Sequence, residues 1–306
     1  MNITDTHCDT LCKLLDENLS FDENDLHIAL SKLNCNHNYT QLFACFVSEK
    51  YRECAKERCV SLTDTFHNKV LSDKVKLCTG YNDIINARKE NKMSAFLAIE
   101  GGYGIEEVSD VEFYYNRGVR FIGIVWNDDN MLASGVLGNG SVTDFGRMVI
   151  SKMNELGIFL DVSHMNDRSF CDAIELTELP PFATHSNSRA VCNNPRNLSD
   201  EQFKLIKEKG GFVGINYYPL FVTGSKKARI TDIIKHMEHF LGLGGEDVIG
   251  LGSDFDGIDF VTDDLSSIGD IDKLIDEMKR IGWSDCLVRK ILSENFENIV
   301  KKIEIY

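Results

Sequence analysis

Eight short apolar segments recur along the chain, and most of them lack the polar alternation of a half-exposed strand. Uninterrupted apolar runs of this length are typical of parallel strands that are buried on both faces. The sequence therefore predicts eight buried strands. They are NITDTH (2–7), QLFACFVS (41–48), SAFLAIE (94–100), VRFIGIVW (119–126), GIFLDVSH (157–164), PFATH (181–185), GFVGINYY (211–218) and DVIGLGSD (247–254).

Segments with helical signals separate these strands. Ser109 with Glu112, and Ser199 with Gln202, have the spacing of capping boxes, and the segment 141–157 ends on a glycine. Further helices are predicted over residues 50–72, 270–282 and 284–303. Because strands and helices alternate without a linker-like segment, we expect one (β/α)8 TIM barrel domain over residues 1–306.

A doubly wound open sheet is the alternative fold for the same alternation of strands and helices. Its nucleotide-binding versions carry a glycine-rich loop after the first strand. No GxGxxG motif follows residues 2–7, and no GxxxxGK[ST] motif occurs in the chain. The closed barrel is therefore the favoured prediction.

Composition limits the partners and the compartment. The chain has 48 acidic and 33 basic residues, a formal charge of −15, which repels nucleic acid and anionic membrane surfaces. The first twenty residues lack the pattern of a secretory signal, and no apolar run approaches the ~20 residues of a membrane span. We expect a cytoplasmic protein whose ten cysteines remain thiols.

Polar residues follow several predicted strands at the same end. In a (β/α)8 barrel the active site is built at the C-terminal ends of the strands. Each of these residues alone is more simply explained as a core histidine, a helix cap or a solvated strand end. Their common position favours a shared site, and the other five histidines (27, 37, 67, 236 and 239) lack it. The residues at strand ends are His7, Asp9, Glu100, His164, His185 and Asp254.

Imidazole and carboxylate groups without thiolate suit zinc or another divalent first-row metal. His7 and Asp9 point the same way in an extended segment, whereas Cys8 points away. With Glu100, His164 and His185 they make five ligands, more than the three that one catalytic zinc normally takes. Two ions that share a carboxylate use five ligands, and Glu100 is best placed to bridge. Such ions, ~3.5–4 Å apart, can hold a bridging hydroxide.

Seven motifs occur in an order that matches one family along nearly the whole chain. They are DTHCDT (5–10), AIEGG (98–102), LDVSH (160–164), THSNSRAV (184–191), NNPRNLSDEQ (193–202), GLGSDFDG (250–257) and ENFENI (294–299). With these motifs the chain resembles the membrane (renal-type) dipeptidases, peptidase family M19, among the amidohydrolase-like metal barrels.

This resemblance implies a binuclear zinc site, with other divalent metals as alternatives. One ion would be held by His7, Asp9 and Glu100, and the other by Glu100, His164 and His185, with a water or hydroxide as second bridge. It also implies that Asp254 is the acid/base group. Arg196 would bind the terminal carboxylate of the substrate, because its planar fork suits bidentate carboxylate recognition.

One position departs from some members of the family. Where these members carry a histidine that polarises the substrate carbonyl, this chain has Trp126, followed by Asn127. Either Asn127 donates that hydrogen bond or the metals suffice. Tyr218 is expected to line the pocket, with Tyr217 as the alternative. The family also implies a homodimer, whereas the signal peptide and lipid-anchor signal of its secreted members are missing, so no membrane anchor is expected.

The resulting hypothesis is a zinc-dependent dipeptidase in which a metal-bridged hydroxide attacks the peptide carbonyl. The sequence does not decide whether a D-residue is accepted at the C-terminal position. The alternative is a metal-dependent amidohydrolase acting on another small amide or an N-acyl amino acid. A catalytically silent metal-binding barrel is less favoured, because all five ligands are present.

Overall fold

The computed structural model describes residues 1–302, and nine strands in parallel register form its sheet. Eight of them close into a barrel in the order β1-β2-β4-β5-β6-β7-β8-β9, with β9 paired back to β1. The eight predicted strands and the (β/α)8 TIM barrel are confirmed, and the open sheet is wrong because this closure leaves no free edge. The strands are β1 (Asn2–Asp5), β2 (Asn38–Phe46), β3 (Val75–Leu77), β4 (Met93–Glu100), β5 (Val119–Gly123), β6 (Phe159–Asp161), β7 (Phe182–Ala183), β8 (Phe212–Ile215) and β9 (Ile249–Leu251).

Strand β3 is an addition that the sequence analysis missed. β4 pairs with β2 along one edge, from Ser94 to Glu100. On its other edge β4 pairs first with β3, between Met93 and Ala95, and then with β5 from Leu97 onward. Only three residues long, β3 is too short to stand out as an apolar run.

Helices surround the barrel and occupy the predicted segments. The segment 50–72 combines a 3₁₀ turn (Glu49–Cys54), a helix and a π-helical turn (Phe66–Val70). The predicted helix 284–303 contains a second π-helical turn (Lys290–Glu294), and its last residue lies outside the described residues. The helices are α1 (Thr10–Asp16), α2 (Ala55–Thr65), α3 (Tyr81–Lys89), α4 (Ser109–Asn116), α5 (Asp144–Leu156), α6 (Asp167–Leu176), α7 (Asp200–Glu208), α8 (Pro219–Val222), α9 (Ile230–Gly242), α10 (Ile271–Arg280), α11 (Asp285–Arg289) and α12 (Asn295–Val300).

One of the two predicted capping boxes is present. At the start of α7, Ser199 Oγ accepts from the Gln202 N–H, and Gln202 Oε1 accepts from the Ser199 N–H at 2.8 Å. The box at Ser109 is wrong, because α4 already begins at Ser109 and its side chain caps nothing. The Asp110 carboxylate instead accepts from the N–H groups of residues 106 and 107, just before the helix.

Phenylalanine rings fill the lower half of the barrel. Three of them are the first residues of their strands, β6, β7 and β8, so this cluster lies at the N-terminal end. Phe296 of α12 closes that end, with its ring centroid 5.6–6.1 Å from those of four barrel phenylalanines. Only the C-terminal end is left for a site. The barrel rings are Phe96, Phe121, Phe159, Phe182 and Phe212.

Three other expectations concern the chain as a whole. The ten cysteines are all unpaired thiols. No helix within residues 1–302 is both long enough and apolar enough to cross a membrane. That residues 1–306 form a single domain stays a prediction.

Replacing Phe296 by Ala removes the ring that closes the barrel. We expect the free energy of unfolding to fall by about 3–5 kcal/mol, the usual cost of deleting a buried aromatic side chain. Urea denaturation followed by circular dichroism measures this loss. Phe113→Ala is the matched control, since Phe113 is 41% exposed on α4 and its removal should cost little. Equal losses in the two variants would contradict the role of Phe296.

Candidate metal centre

The five predicted ligands meet above the phenylalanine layer. Their side chains are buried, and they come from the ends of four strands: β1, β4, β6 and β7. Glu100 contacts two of the histidines, with Oε1 2.8 Å from His164 Nε2 and Oε2 3.3 Å from His7 Nε2. His185 Nε2 lies 3.8 Å from Glu100 Oε1, and Asp9 Oδ2 lies 3.7 Å from His7 Nε2.

These residues form two overlapping groups of possible metal ligands. One group is His7, Asp9 and Glu100, and the other is Glu100, His164 and His185. Within each group the ligand atoms lie within 4.8 Å of one another. Glu100 contacts the two groups through different oxygens, which is how a bridging carboxylate serves two ions.

The unpaired polar atoms of the cluster test whether the residues fit a metal. Within residues 1–302, His7 Nε2, Asp9 Oδ1 and Glu100 Oε2 are buried and make no hydrogen bond. Buried polar atoms without partners are rare and costly, and several of them converging on one point fit a bound cation. In addition, Nε2 of His164 lies 2.9 Å from Nε2 of His185, so these two ring nitrogens face the same point of the cluster. The residues therefore fit divalent cations.

The pKa shifts differ among the histidines. Burial lowers the pKa of His7, but the adjacent carboxylates of Glu100 and Asp9 outweigh burial and raise this pKa well above its ordinary value. Burial, followed by the positive charge of Arg196, lowers the pKa of His164 well below its ordinary value. Burial likewise lowers the pKa of His185, so both imidazoles are neutral and keep a lone pair for a cation. Burial and the charge of Asp9 raise the pKa of Glu100 to about 7. A neighbouring cation would stabilise the charged form of this carboxylate.

Asp254 lies three residues after the end of β9 and joins the cluster from a loop. Its backbone has a φ of 66°, and its carboxylate groups with His7 and His185 within 4.8 Å. The Asn216 amide donates to Asp254 Oδ2 at 2.8 Å. Burial raises the pKa of Asp254 to about 6, which suits proton transfer near neutral pH. Gly257 permits this loop, because a Cβ there would lie 2.0 Å from Asp9 Oδ2.

Arg196 lies beside the ligands but does not line the cavity above them. It is 5% exposed, and its guanidinium donates to the backbone carbonyls of Ser163 and His185. Its guanidinium carbon is 5.2 Å from the centre of the Phe221 ring. The structure therefore places a buried positive charge next to the ligand histidines, with two of its nitrogens already engaged.

A cavity of about 670 Å³ opens above the cluster. Its aromatic walls are the pair Phe46 and Trp126, with ring centroids 5.1 Å apart, and the pair Tyr218 and Phe221 at 5.0 Å. Charged residues of α1 and α2 form part of its rim. Tyr217 points into the core instead, where it packs against the ring of Phe255.

Asn127 also lines the cavity, and its side-chain oxygen lies 2.9 Å from His164 Nδ1. Asn127 therefore hydrogen-bonds the ring nitrogen of His164 that faces away from Glu100. Substrate binding by Asn127, Trp126 and Tyr218 stays a prediction.

Some residues of the site were not among the predicted ones. Asn216 follows β8, and Phe46 ends β2, so the same strand-end rule points to both. Phe221 of α8 has no such signal, because only the fold turns this helix toward the cavity.

The family model of the membrane dipeptidases, peptidase family M19, matches residues 1–306. The chain belongs to this family. It is a hydrolase of the metallo-dipeptidase type. An uncharacterized protein from the pqqA 5′ region of Klebsiella pneumoniae is 34% identical over 243 residues, which are 75% of this chain and 89% of that protein. An uncharacterized dipeptidase of Schizosaccharomyces pombe is 28% identical over 304 residues, 91% of this chain and 73% of that protein.

Solved structures agree on the fold. A metallopeptidase from Rhodobacter sphaeroides superposes with a TM-score of 0.92 at 23% identity, covering 99% of both chains. Dipeptidase AC, a metallopeptidase of family M19, superposes with a TM-score of 0.91 at 24% identity, covering 98% of both chains.

The shared position of Glu100 makes a prediction about metal content. Glu100→Gln removes a charge common to both ligand groups, so we expect the purified variant to lose at least one bound ion. Elemental analysis by mass spectrometry measures the metal bound per chain. Glu90→Gln is the control, because the ion pairs of Glu90 within residues 1–302 are with two surface lysines, far from the cluster's histidines. A Glu100→Gln variant with wild-type metal content would contradict the shared position.

Proposed function

We propose that the protein is a zinc-dependent dipeptidase with a binuclear metal centre. The observation that carries this proposal is the position of Glu100, which contacts His7 through one oxygen and His164 through the other. The imidazole and carboxylate donors suit zinc, and they accept other first-row divalent metals as well. When bound, the two ions polarise the peptide carbonyl and lower the pKa of an attacking water.

The residues of the chain supply the proton transfers. Asp254 accepts a proton from the attacking water and returns it to the leaving amine. Its bond from Asn216 and its raised pKa support this role, because they hold one oxygen in place and leave the carboxylate near its titration point. Asn127 supports His164 and is available through its amide N–H₂ to bind the substrate carbonyl.

The size and lining of the cavity support the proposal of a small substrate. Its metal-ligand floor lies between aromatic walls that include Trp126 and Tyr218, and these rings pack against the side chains of a dipeptide. Arg196 contributes a positive charge that attracts the terminal carboxylate of a dipeptide. The related Rhodobacter metallopeptidase was solved with a phosphinate mimic of L-Ala-D-Ala, so this dipeptide belongs among the first substrates to be tried.

One observation favours a second candidate. Two nitrogens of Arg196 already bind the carbonyls of Ser163 and His185, and Arg196 does not line the cavity. A substrate without a free carboxylate, such as another small amide, needs no such partner. The homodimer and the cytoplasmic location stay predictions.

A dipeptide screen tests the proposal and separates the two candidates. We expect the zinc-loaded protein to hydrolyse free dipeptides, including L-Ala-D-Ala, and to lose this activity when a chelator removes the metal. The same dipeptides with an amidated C-terminus are the matched substrates, and we expect slower hydrolysis because Arg196 then has no carboxylate to attract. Activity after complete metal removal would refute the metal centre. Equal hydrolysis of the amides would favour the amidohydrolase.

Asp254→Asn tests the acid/base role. We expect kcat to fall by about 10²–10⁴-fold, the usual contribution of a general acid/base group, with the metal content retained. Steady-state kinetics on a dipeptide and elemental analysis provide the two readouts. Asp259→Asn is the control, because Asp259 lies at the exposed edge of the same cavity. A variant at Asp254 with wild-type kcat would show that another group transfers the proton.

A further inference from the structure

We propose that Thr184 is a positioning residue that presents one histidine of each ligand group to its metal ion. Asp161 sets the direction of the Thr184 hydroxyl proton. The inference rests on the proposed metal centre and extends it to the layer of residues beneath the ligands.

The Thr184 hydroxyl has four polar neighbours below the cluster, of which Ser163 Oγ is the farthest at 3.3 Å. The Thr184 oxygen lies 2.6 Å from Asp161 Oδ2, 2.8 Å from His185 Nδ1 and 3.2 Å from His7 Nδ1. All of these side chains are buried. The hydroxyl therefore touches two proposed ligands on the ring nitrogen that faces away from Glu100.

The closest acceptor for the hydroxyl proton is Asp161 Oδ2, at 2.6 Å against 3.3 Å for Ser163 Oγ, whose own proton goes to Asp161 Oδ1. A threonine hydroxyl has one proton to donate and two lone pairs to accept with. The Asp161 carboxylate accepts at Oδ1 from the backbone N–H groups of Ser163 and Thr184 and from the Ser163 hydroxyl. The other oxygen of this carboxylate, Oδ2, accepts the hydrogen bond from the Thr184 hydroxyl. Both lone pairs of Thr184 then face histidine nitrogens.

The two histidines must consequently carry their protons on Nδ1. Each Nδ1–H donates to Thr184, which leaves Nε2 as the nitrogen of each ring that can bind a cation. These Nε2 atoms point toward Glu100, at 3.3 Å for His7 and 3.8 Å for His185. A cation binds an imidazole only through an unprotonated nitrogen, so this tautomer is the one that ligation requires.

One hydroxyl thus serves both ligand groups, since His7 belongs to the first and His185 to the second. His164 is supported separately by Asn127. The main chain around Thr184 is tightly held, because Thr6 Oγ1 donates to the Thr184 carbonyl at 2.6 Å. A Cβ on Gly214 would lie 2.2 Å from that carbonyl oxygen. The hydroxyl therefore has little freedom to leave its partners.

Thr184→Val removes the hydroxyl and keeps the shape of the side chain. We expect the zinc affinity of the metal-free protein, measured by competition with a chelator, to fall by about 10–100-fold, the usual effect of losing a partner behind a ligand. Thr184→Ser keeps the hydroxyl and should retain wild-type affinity. Thr40→Val is the control for loss of a buried barrel threonine, because the Thr40 hydroxyl makes no hydrogen bond within the described residues.

Nitrogen NMR of the metal-free protein, labelled only at its histidines, gives a readout that does not depend on metal or activity. In the wild type we expect His7 and His185 to be protonated at Nδ1. In Thr184→Val at least one of them should shift toward Nε2 protonation. Asp161→Asn places an N–H₂ group opposite the hydroxyl, which turns the Thr184 proton toward a histidine and should produce the same shift.

The outcomes separate this inference from the proposed function. A wild-type protein that binds no zinc would refute the metal centre, whereas the NMR comparison would still test the role of Thr184. If the wild type binds zinc, and Thr184→Val keeps both the affinity and the Nδ1 protonation, the inference is wrong and the metal centre stands. A loss of affinity in Thr184→Ser equal to that in Thr184→Val would also overturn it, because the hydroxyl would then not be responsible.

Discussion

Closure of the barrel between β9 and β1 is the constraint on which the rest of the structure depends. The first strand carries His7 and Asp9 at its end, and its pairing with both β2 and β9 brings them to the rim where β4 delivers Glu100. Because the strands are parallel, their C-terminal ends meet at this one rim. Without closure, residues that are more than ninety positions apart in the chain would have no reason to share an ion.

The interior of the closed barrel is organised in layers. Phenylalanine rings and Phe296 seal the bottom and exclude water from below. A polar layer follows, in which the Thr184 hydroxyl contacts Asp161 and His185, and Asp5 accepts from the backbone N–H and the hydroxyl of Ser253. The ligand cluster lies on this layer, and the aromatic-walled cavity opens above it. Each layer restricts the movement of the next, which is how a site made of short strand ends becomes precise.

Structural features that depend on residues close together in the chain were predictable from the sequence. Apolar runs identified all eight barrel strands, and the spacing at Ser199 identified a capping box that the structure contains. The same reasoning was wrong at Ser109, where the backbone is already helical, and it missed β3, which is too short to carry a pattern. The strand-end rule gathered five possible ligands because parallel strands deliver their ends to one place.

Contacts between side chains across the barrel could not be predicted from such local patterns. The sequence by itself determined the alternation of strands and helices, the residues at each strand end and, through its motifs, the family. Only the tertiary structure decided that two nitrogens of Arg196 bind backbone carbonyls, that Tyr217 belongs to the core and Tyr218 to the cavity, and that Thr184 lies between His7 and His185. Hydrogen bonds between distant side chains depend on distances of tenths of an ångström, which closure and packing set and no local spacing encodes.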